Sequence, residues 1–242
     1  MLRIILGCRQ GPRLDLSPDL QSAGRTKLEL LGLHDPVIAI HPGSGSHKKN
    51  WPLPSFLALA GKIQQAGLGQ VLWIVGEADE VIARSLRKEF PPSSGAGFHI
   101  AGRSAFGGNV EEITDRPGGR PAPEAADRHK WSRGALTPVV SGSGLNGATP
   151  ILENCSLPEV ASVLSQCRGY VGNDSGITHL AAAVGIPTLA LFGPTDPAGW
   201  GPRGRQVSIL RAQPPTSEGL ARMTVDEVWR GLAAVGQAKS SV

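Results

Sequence analysis

This 242-residue sequence predicts an α/β protein built on a parallel, doubly wound sheet. Short apolar, β-branched runs alternate with helical patterns along most of the chain, an order that places helices on both faces of a parallel sheet. The runs are apolar at successive positions, as strands covered on both faces require. Glycine (32) and proline (20) together make up about a fifth of the chain, against roughly 12% in ordinary proteins. That share excludes one long helical bundle and calls for many turns.

The first run, Val37–His41, ends at Pro42-Gly43 and reads as a buried strand followed by a turn. Pro54 opens a helical pattern with Phe56, Leu59, Ala60 and Ile63 on one face, and Gly67 stops it. Residues 71–75 form a second strand that ends at Gly76. Residues 79–89 read as a helix with Val81, Ile82 and Leu86 inward, and 98–100 as a third strand. From about 103 to 150 periodicity is lost. This stretch carries Arg116-Pro117-Gly118-Gly119-Arg120-Pro121 and Ser141-Gly142-Ser143-Gly144, a composition that cannot bury enough apolar surface to order itself. It reads as a disordered insert or as a damaged stretch of coding sequence.

The pattern then resumes. Ser156-x-x-Glu159 is a capping box that opens a helix with Leu157, Val160, Ala161 and Leu164. Residues 170–172 form a short strand, and 177–184 a helix of small residues that Gly185 and Pro187 terminate. Residues 188–192 and 207–210 are the remaining strands, and Thr224-x-x-Glu227 caps a C-terminal helix through Trp229 and Leu232.

Composition excludes several classes. The formal charge is +4 with only 18% charged residues, a mild basic excess without a polyanion-binding tail. Lys and Arg are scattered and aromatics are 5%, so no stacking platform for nucleic acid is expected. Cys8, Cys155 and Cys167 form no CxxC pair, which argues against a disulfide scaffold or cysteine-rich zinc site and fits a reducing, cytoplasmic setting. No run approaches the ~20 apolar residues that span a bilayer.

In doubly wound sheets, ligands bind beyond the carboxyl ends of the strands, so the turns there carry the candidate chemistry. After the first strand comes His41-Pro42-Gly43-Ser44-Gly45-Ser46-His47-Lys48-Lys49-Asn50-Trp51-Pro52. Its glycines let backbone approach a ligand, its serines offer hydroxyls and its lysines offer charge for phosphate. It is neither a Walker loop nor a GxGxxG turn. A flexible turn with solvated lysines is the plainer alternative.

The second segment is Gly172-Asn173-Asp174-Ser175-Gly176-Ile177-Thr178-His179. It lies where a strand meets a helix N-terminus, whose free amides favour an anionic group. A serine hydrolase does not fit, because Asn173 stands where Gly-x-Ser-x-Gly needs glycine. Two readings stay open. Either Asp174 or Ser175 simply caps the helix and His179 is structural, or the segment binds a nucleotide sugar. The third segment, Phe192-Gly193-Pro194-Thr195-Asp196-Pro197-Ala198-Gly199-Trp200, is a ligand-lining loop or a Gly/Pro turn plugged by Trp200.

Taken together and in this order, the three segments resemble the C-terminal half of the family nine glycosyltransferases, the ADP-heptose:lipopolysaccharide heptosyltransferases. The matching residues are His41-Pro42-Gly43-Ser44-Gly45 with Lys49-x-Trp51-Pro52, then Asp174-Ser175-Gly176-x-x-His179-Leu180-Ala181, then Phe192-Gly193-Pro194-Thr195-x-Pro197 with Trp200. The resemblance covers about 13–102 and 151–234. It implies a Rossmann-like domain equivalent to the C-terminal domain of a GT-B enzyme, which holds an ADP-sugar donor and transfers heptose to a lipopolysaccharide-core-like, lipid-linked acceptor.

By that resemblance, Ser44, Gly45 and Lys49 meet the donor phosphates. Asp174 contacts the sugar, Ser175 and Gly176 hold the diphosphate, and His179 stabilises the leaving phosphate. Of Glu77 and Glu80 in the turn after the second strand, Glu80 is expected at the ribose or sugar. No Asp-x-Asp occurs in the chain, so neither a metal nor a cofactor is expected. The first C-terminal-domain strand is reached by Val37, so 1–36 reads as a remnant and linker helix. Residues 37–242 then form the donor-binding domain with the 103–150 insert, and the general base belongs to an absent N-terminal domain. Weak peripheral attraction to an anionic inner-membrane surface fits the basic excess. A non-catalytic nucleotide- or phosphate-binding module is the alternative of a different class.

Overall fold

The structure, a computed structural model, describes residues 2–7, 11–90, 140–141 and 150–237. The chain begins with β1 (Leu2–Gly7) and β2 (Gly11–Leu16), an antiparallel pair in register Leu2 to Leu16. The sequence pattern predicts no strand there. Ser17 caps α1 (Pro18–Leu30), with proline at its first position, where no amide hydrogen is needed.

The core then follows in alternating units. β3 (Val37–His41) leads to α2 (Leu53–Gln65), and β4 (Gln70–Val75) leads to α3 (Glu80–Glu89). β5 (Val140–Ser141) and β6 (Ile151–Glu153) precede α4 (Leu157–Leu164), and β7 (Gly169–Asn173) precedes α5 (Gly176–Val184). β8 (Thr188–Phe192), α6 (Pro197–Trp200), β9 (Val207–Arg211), α7 (Ser217–Arg222) and α8 (Val225–Gln237) complete it. The spatial order is β5-β6-β4-β3-β7-β8-β9. The strands from β6 to β9 are mutually parallel, and β5 runs antiparallel to β6 at the edge. Chain order reverses between β3 and β7, which makes their carboxyl ends the topological switch point.

Alternation along the strands divides the core in two. Ile38 and Ile40 of β3, with Val71, Trp73 and Val75 of β4, pack against Phe56, Leu59 and Ile63 of α2, Leu86 of α3, and Val228 and Leu232 of α8. Val37, Ala39, Leu72 and Ile74 point the other way, onto Leu28 of α1, Val160, Val163 and Leu164 of α4, and Ala181 of α5. Burying each Leu, Ile or Val contributes about 1.5–3 kcal/mol. Close contact of α1 with α4 depends on Gly24, where a Cβ would lie 2.1 Å from Ser162 O.

Within the described residues, the strands and helices expected from the sequence are found with small shifts at their ends. The capping boxes at Ser156/Glu159 and Thr224/Glu227 both form. Gly185 ends α5 with φ +89°, a conformation that glycine reaches without strain. One expectation needs correction. Val81 is 74% exposed, because α3 follows a 3₁₀ turn at Glu77–Asp79 that turns Ala83 and Leu86 inward instead. β6 is a strand that the sequence pattern does not predict, since three residues are too few to show a period. The strand expected at 98–100 lies outside the described residues. So does the 103–150 insert, apart from β5 and Pro150.

Candidate functional site

Loops leaving β3 and β7 meet at the switch point. From β3 the chain passes Pro42 and Gly43 and turns through Ser44–Ser46. It then makes a 3₁₀ turn over His47–Lys49 and returns to the core at Trp51. Ser44 Oγ lies 2.7 Å from Ser46 O and 2.6 Å from Asn50 Oδ1, so this hydroxyl shapes the loop itself. Gly45 is exposed, with no atom within 4 Å of where a Cβ would stand. Trp51 anchors the return: its indole is buried edge-on to Phe56 and donates to Met223 O at 2.9 Å.

Lys49 Nζ reaches across the switch point to Asp174 Oδ2, 2.9 Å away. The lysine side chain is 31% exposed and the carboxylate 8%. Asp174 is held by its own amide, which donates to Leu191 O. Ser175 caps α5, its hydroxyl accepting from Thr178 N at 3.3 Å, and Thr178 Oγ1 lies 2.9 Å from the buried Tyr170 hydroxyl. The first-turn amides of α5 therefore open where Ser175 and Gly176 border a cavity. His179, exposed on the same helix, borders it too.

That cavity, about 450 Å³, is lined mostly by apolar surface, with a few polar groups among it. His41, Ser44, Asp79, Ser175 and His179 supply the polar groups. Pro12 and Leu14 of β2, with Leu157, Ile177 and Leu180, contribute to the apolar lining. A larger cavity of about 730 Å³, lined by Arg25, Asp35, Arg168 and Pro187 among others, lies at the amino ends of the strands. The carboxyl-end site is preferred because, among the described residues, the loops from β3 and β7 and the N-terminus of α5 converge there.

Seven of the sequence-derived residues are brought together. Ser44, Gly45, Ser175, Gly176 and His179 line the cavity, and Asp174 adjoins them within the ion pair made by Lys49. Glu80 is not brought there. It is exposed on α3 and pairs with Arg84 one turn on, 3.3 Å away, and Glu77 is exposed as well. The 3₁₀ turn directs Asp79 inward instead. This carboxylate is 6% exposed, accepts from Gly76 N at 3.0 Å and lies against Gly43, where a Cβ would overlap it at 1.9 Å. Asp79 and His41 were not singled out from the sequence. The clue was Gly43, a buried glycine two residues past the strand with room for nothing larger than hydrogen.

His41 is neutral. Burial lowers its pKa from the ordinary 6.5, outweighing a backbone hydrogen bond and the nearby Asp79 charge. Nδ1 lies 2.8 Å from Ile74 O, a group that only accepts, so Nδ1 carries the proton. Nε2 is then an acceptor, 3.9 Å from Asp79 Oδ2. The third segment does not line this cavity: Phe192 is buried, and Trp200 is 69% exposed at the end of α6, not a hydrophobic plug. Burial pushes the Cys155 thiol up to about 11, which leaves it without nucleophilic thiolate.

Comparison with known proteins adds a family. The model described as Glycosyltransferase family 9 (heptosyltransferase) matches residues 8–111 and 135–229. Lipopolysaccharide heptosyltransferase 1 of Pseudomonas aeruginosa is 43% identical over 81 residues, 34% of this chain and 21% of that protein. Among solved structures, Escherichia coli ADP-heptose lipopolysaccharide heptosyltransferase II superposes with a TM-score of 0.59 at 20% identity, covering 95% of this chain and 55% of that one. An Escherichia coli heptosyltransferase solved with ADP gives 0.54 at 19% identity, covering 85% of this chain and 47% of that one. The chain thus spans about half the length of the solved structures it matches.

Proposed function

This chain belongs to glycosyltransferase family 9, and from that premise we propose that it binds the ADP-sugar donor in a heptose transfer to a lipopolysaccharide-core acceptor. The observation that carries the reading is the Lys49–Asp174 pair, set beside the open first turn of α5 at the switch point of the sheet. A diphosphate there meets a cation and helix amides already in place, without reorganisation when the sugar departs. Lys49 binds phosphate, and Asp174, freed from the lysine as the anion enters, accepts sugar hydroxyls. The amides at Ser175 and Gly176 hold the diphosphate, and His179 stabilises the leaving phosphate. Asp79, in place of Glu80, is the carboxylate of its turn that faces the ligand. Residues of this kind neutralise a departing diphosphate without a divalent ion. The setting is cytoplasmic, with weak peripheral contact to the inner membrane through the basic excess.

Calorimetric titration of the chain with ADP, UDP and GDP tests this. Binding of ADP over the other two, weakened in Lys49→Ala, supports the donor site. A folded chain that binds none of the three refutes it.

A further inference from the structure

Asn173 does not line the cavity, yet it bonds to the loop that leaves β3 and to the first turn of α5. It is fully buried at the end of β7 and uses both arms of its amide. Nδ2 donates to Pro42 O at 2.8 Å, and Oδ1 accepts from Trp51 N at 2.9 Å. A proline carbonyl can only accept and a backbone amide only donate, so these partners fix the orientation of the side chain. Pro42 and Trp51 are the first and last residues of the excursion that carries Ser44, Gly45 and Lys49. One side chain therefore joins the two ends of that loop. The main chain of Asn173 acts as well: its carbonyl accepts from Thr178 Oγ1 at 2.5 Å, within the first turn of α5.

We infer that Asn173 is a positioning residue for the anion site: by closing loop 42–51 at both ends, it fixes where Lys49 Nζ stands relative to Asp174 and the α5 amides. The inference rests on the donor-site reading above and deepens it. Without the amide, Pro42 O and Trp51 N would be left buried and unpaired, and the loop would shift until each found another partner. Inside the loop, the Ser44–Asn50 contact holds its middle but not its ends. Lys49 sits one residue from Asn50 and would move with them, and displacements near 1 Å at such a group are enough to cost binding and rate. The effect should fall on phosphate and spare the nucleoside.

A double-mutant cycle tests this through ADP titrations of the wild-type chain, Asn173→Ser, Lys49→Ala and the double variant, with adenosine as a second ligand. Asn173→Ser is expected to weaken ADP about tenfold while leaving adenosine within about twofold. In the Lys49→Ala background the same change should cost less than about twofold, because the group it positions is gone. Equal losses in both backgrounds, equal losses for ADP and adenosine, or no loss at all would overturn the inference. If Asn173→Ser melts below the assay temperature, Asn173→Asp replaces it, keeping the acceptor for Trp51 N while losing the donor to Pro42 O. Failure of both to fold also overturns it, since the residue would then serve the sheet and not the loop. A wild-type chain that binds no ADP defeats the donor-site reading and this inference with it. ADP binding by the wild type with unaffected Asn173 variants defeats this inference alone.

Discussion

Lys49 and Asp174 stand 125 residues apart in the chain and 2.9 Å apart in space, joined across the point where the sheet reverses its order. The lysine keeps part of its surface in solvent while the carboxylate is nearly covered. An arriving anion can therefore take the lysine from one side, while Asp174 stays fixed as a hydrogen-bond acceptor. Lys49→Ala should weaken ADP roughly ten- to a hundredfold, the range for a hydrogen bond to a charged group. Calorimetry checks this, with circular dichroism to establish folding.

Asp79 and Glu80 are neighbours in sequence with opposite surroundings. Asp79→Asn should lower ADP affinity measurably, whereas Glu80→Gln, which only loosens an exposed pair with Arg84, should leave it within about twofold. The same titration decides between them. The opposite ranking would return the ligand carboxylate to the outer face of α3.

Gly43 has no room for a methyl group. The Asp79 carboxylate occupies the space where a Cβ would stand, so Gly43→Ala should destabilise the fold by about 1–3 kcal/mol through overpacking. Thermal denaturation reads this directly. An unchanged melting temperature would mean that Asp79 moves aside freely.

Neutral, buried His41 makes stability depend on pH in a known direction. Its pKa is lowered in the folded chain, so between that value and the ordinary 6.5 the unfolded chain binds the extra proton. Stability is therefore complete above 6.5 and declines as pH falls below it. Melts between about pH 7.5 and about pH 5.5 should show the decline. His41→Asn, which can still donate to Ile74 O, should show a shallower one.

Chelation should leave donor binding unchanged. With a lysine and helix amides supplying positive charge, ADP affinity in EDTA should equal that in magnesium. A loss in EDTA would require a cation in the site.

Much of this was legible from the residues alone. Runs such as Val37–His41 and Thr188–Phe192 are apolar throughout because both faces are covered, and that pattern survives in sequence. Ser156 and Glu159 announced a helix start through chemistry confined to one turn. The site was legible where its residues sit in short motifs, as Lys49 and Asp174 do. It was not legible where orientation is decided by a single turn. Whether Asp79 or Glu80 faces inward depends on a 3₁₀ step at Glu77–Asp79, and no periodicity encodes that. The roles of Asn173 and His41 depend on partners far along the chain, Pro42 and Trp51 for one and Ile74 for the other. The β1–β2 pair, whose Pro12 and Leu14 wall the cavity, gave no sign of that role because the partners of those residues lie on α5.

The adjacency of β3 and β7 also bears on how the chain gains its site over time. No local segment can assemble it. The β3 loop has no Asp174, and the β7–α5 unit has no lysine, until the ends of a span of more than a hundred residues have come together. The chain entropy of that closure grows only with the logarithm of the intervening length, by about 0.6 kcal/mol per doubling. Residues added or removed between α3 and β6 therefore alter the thermodynamics of assembly little, and natural variation in length can collect there. Contacts so distant in sequence are among those that slow folding most. Recovery of ADP binding during refolding should accordingly lag the recovery of helical signal, and would time the moment at which the two halves of the sheet join.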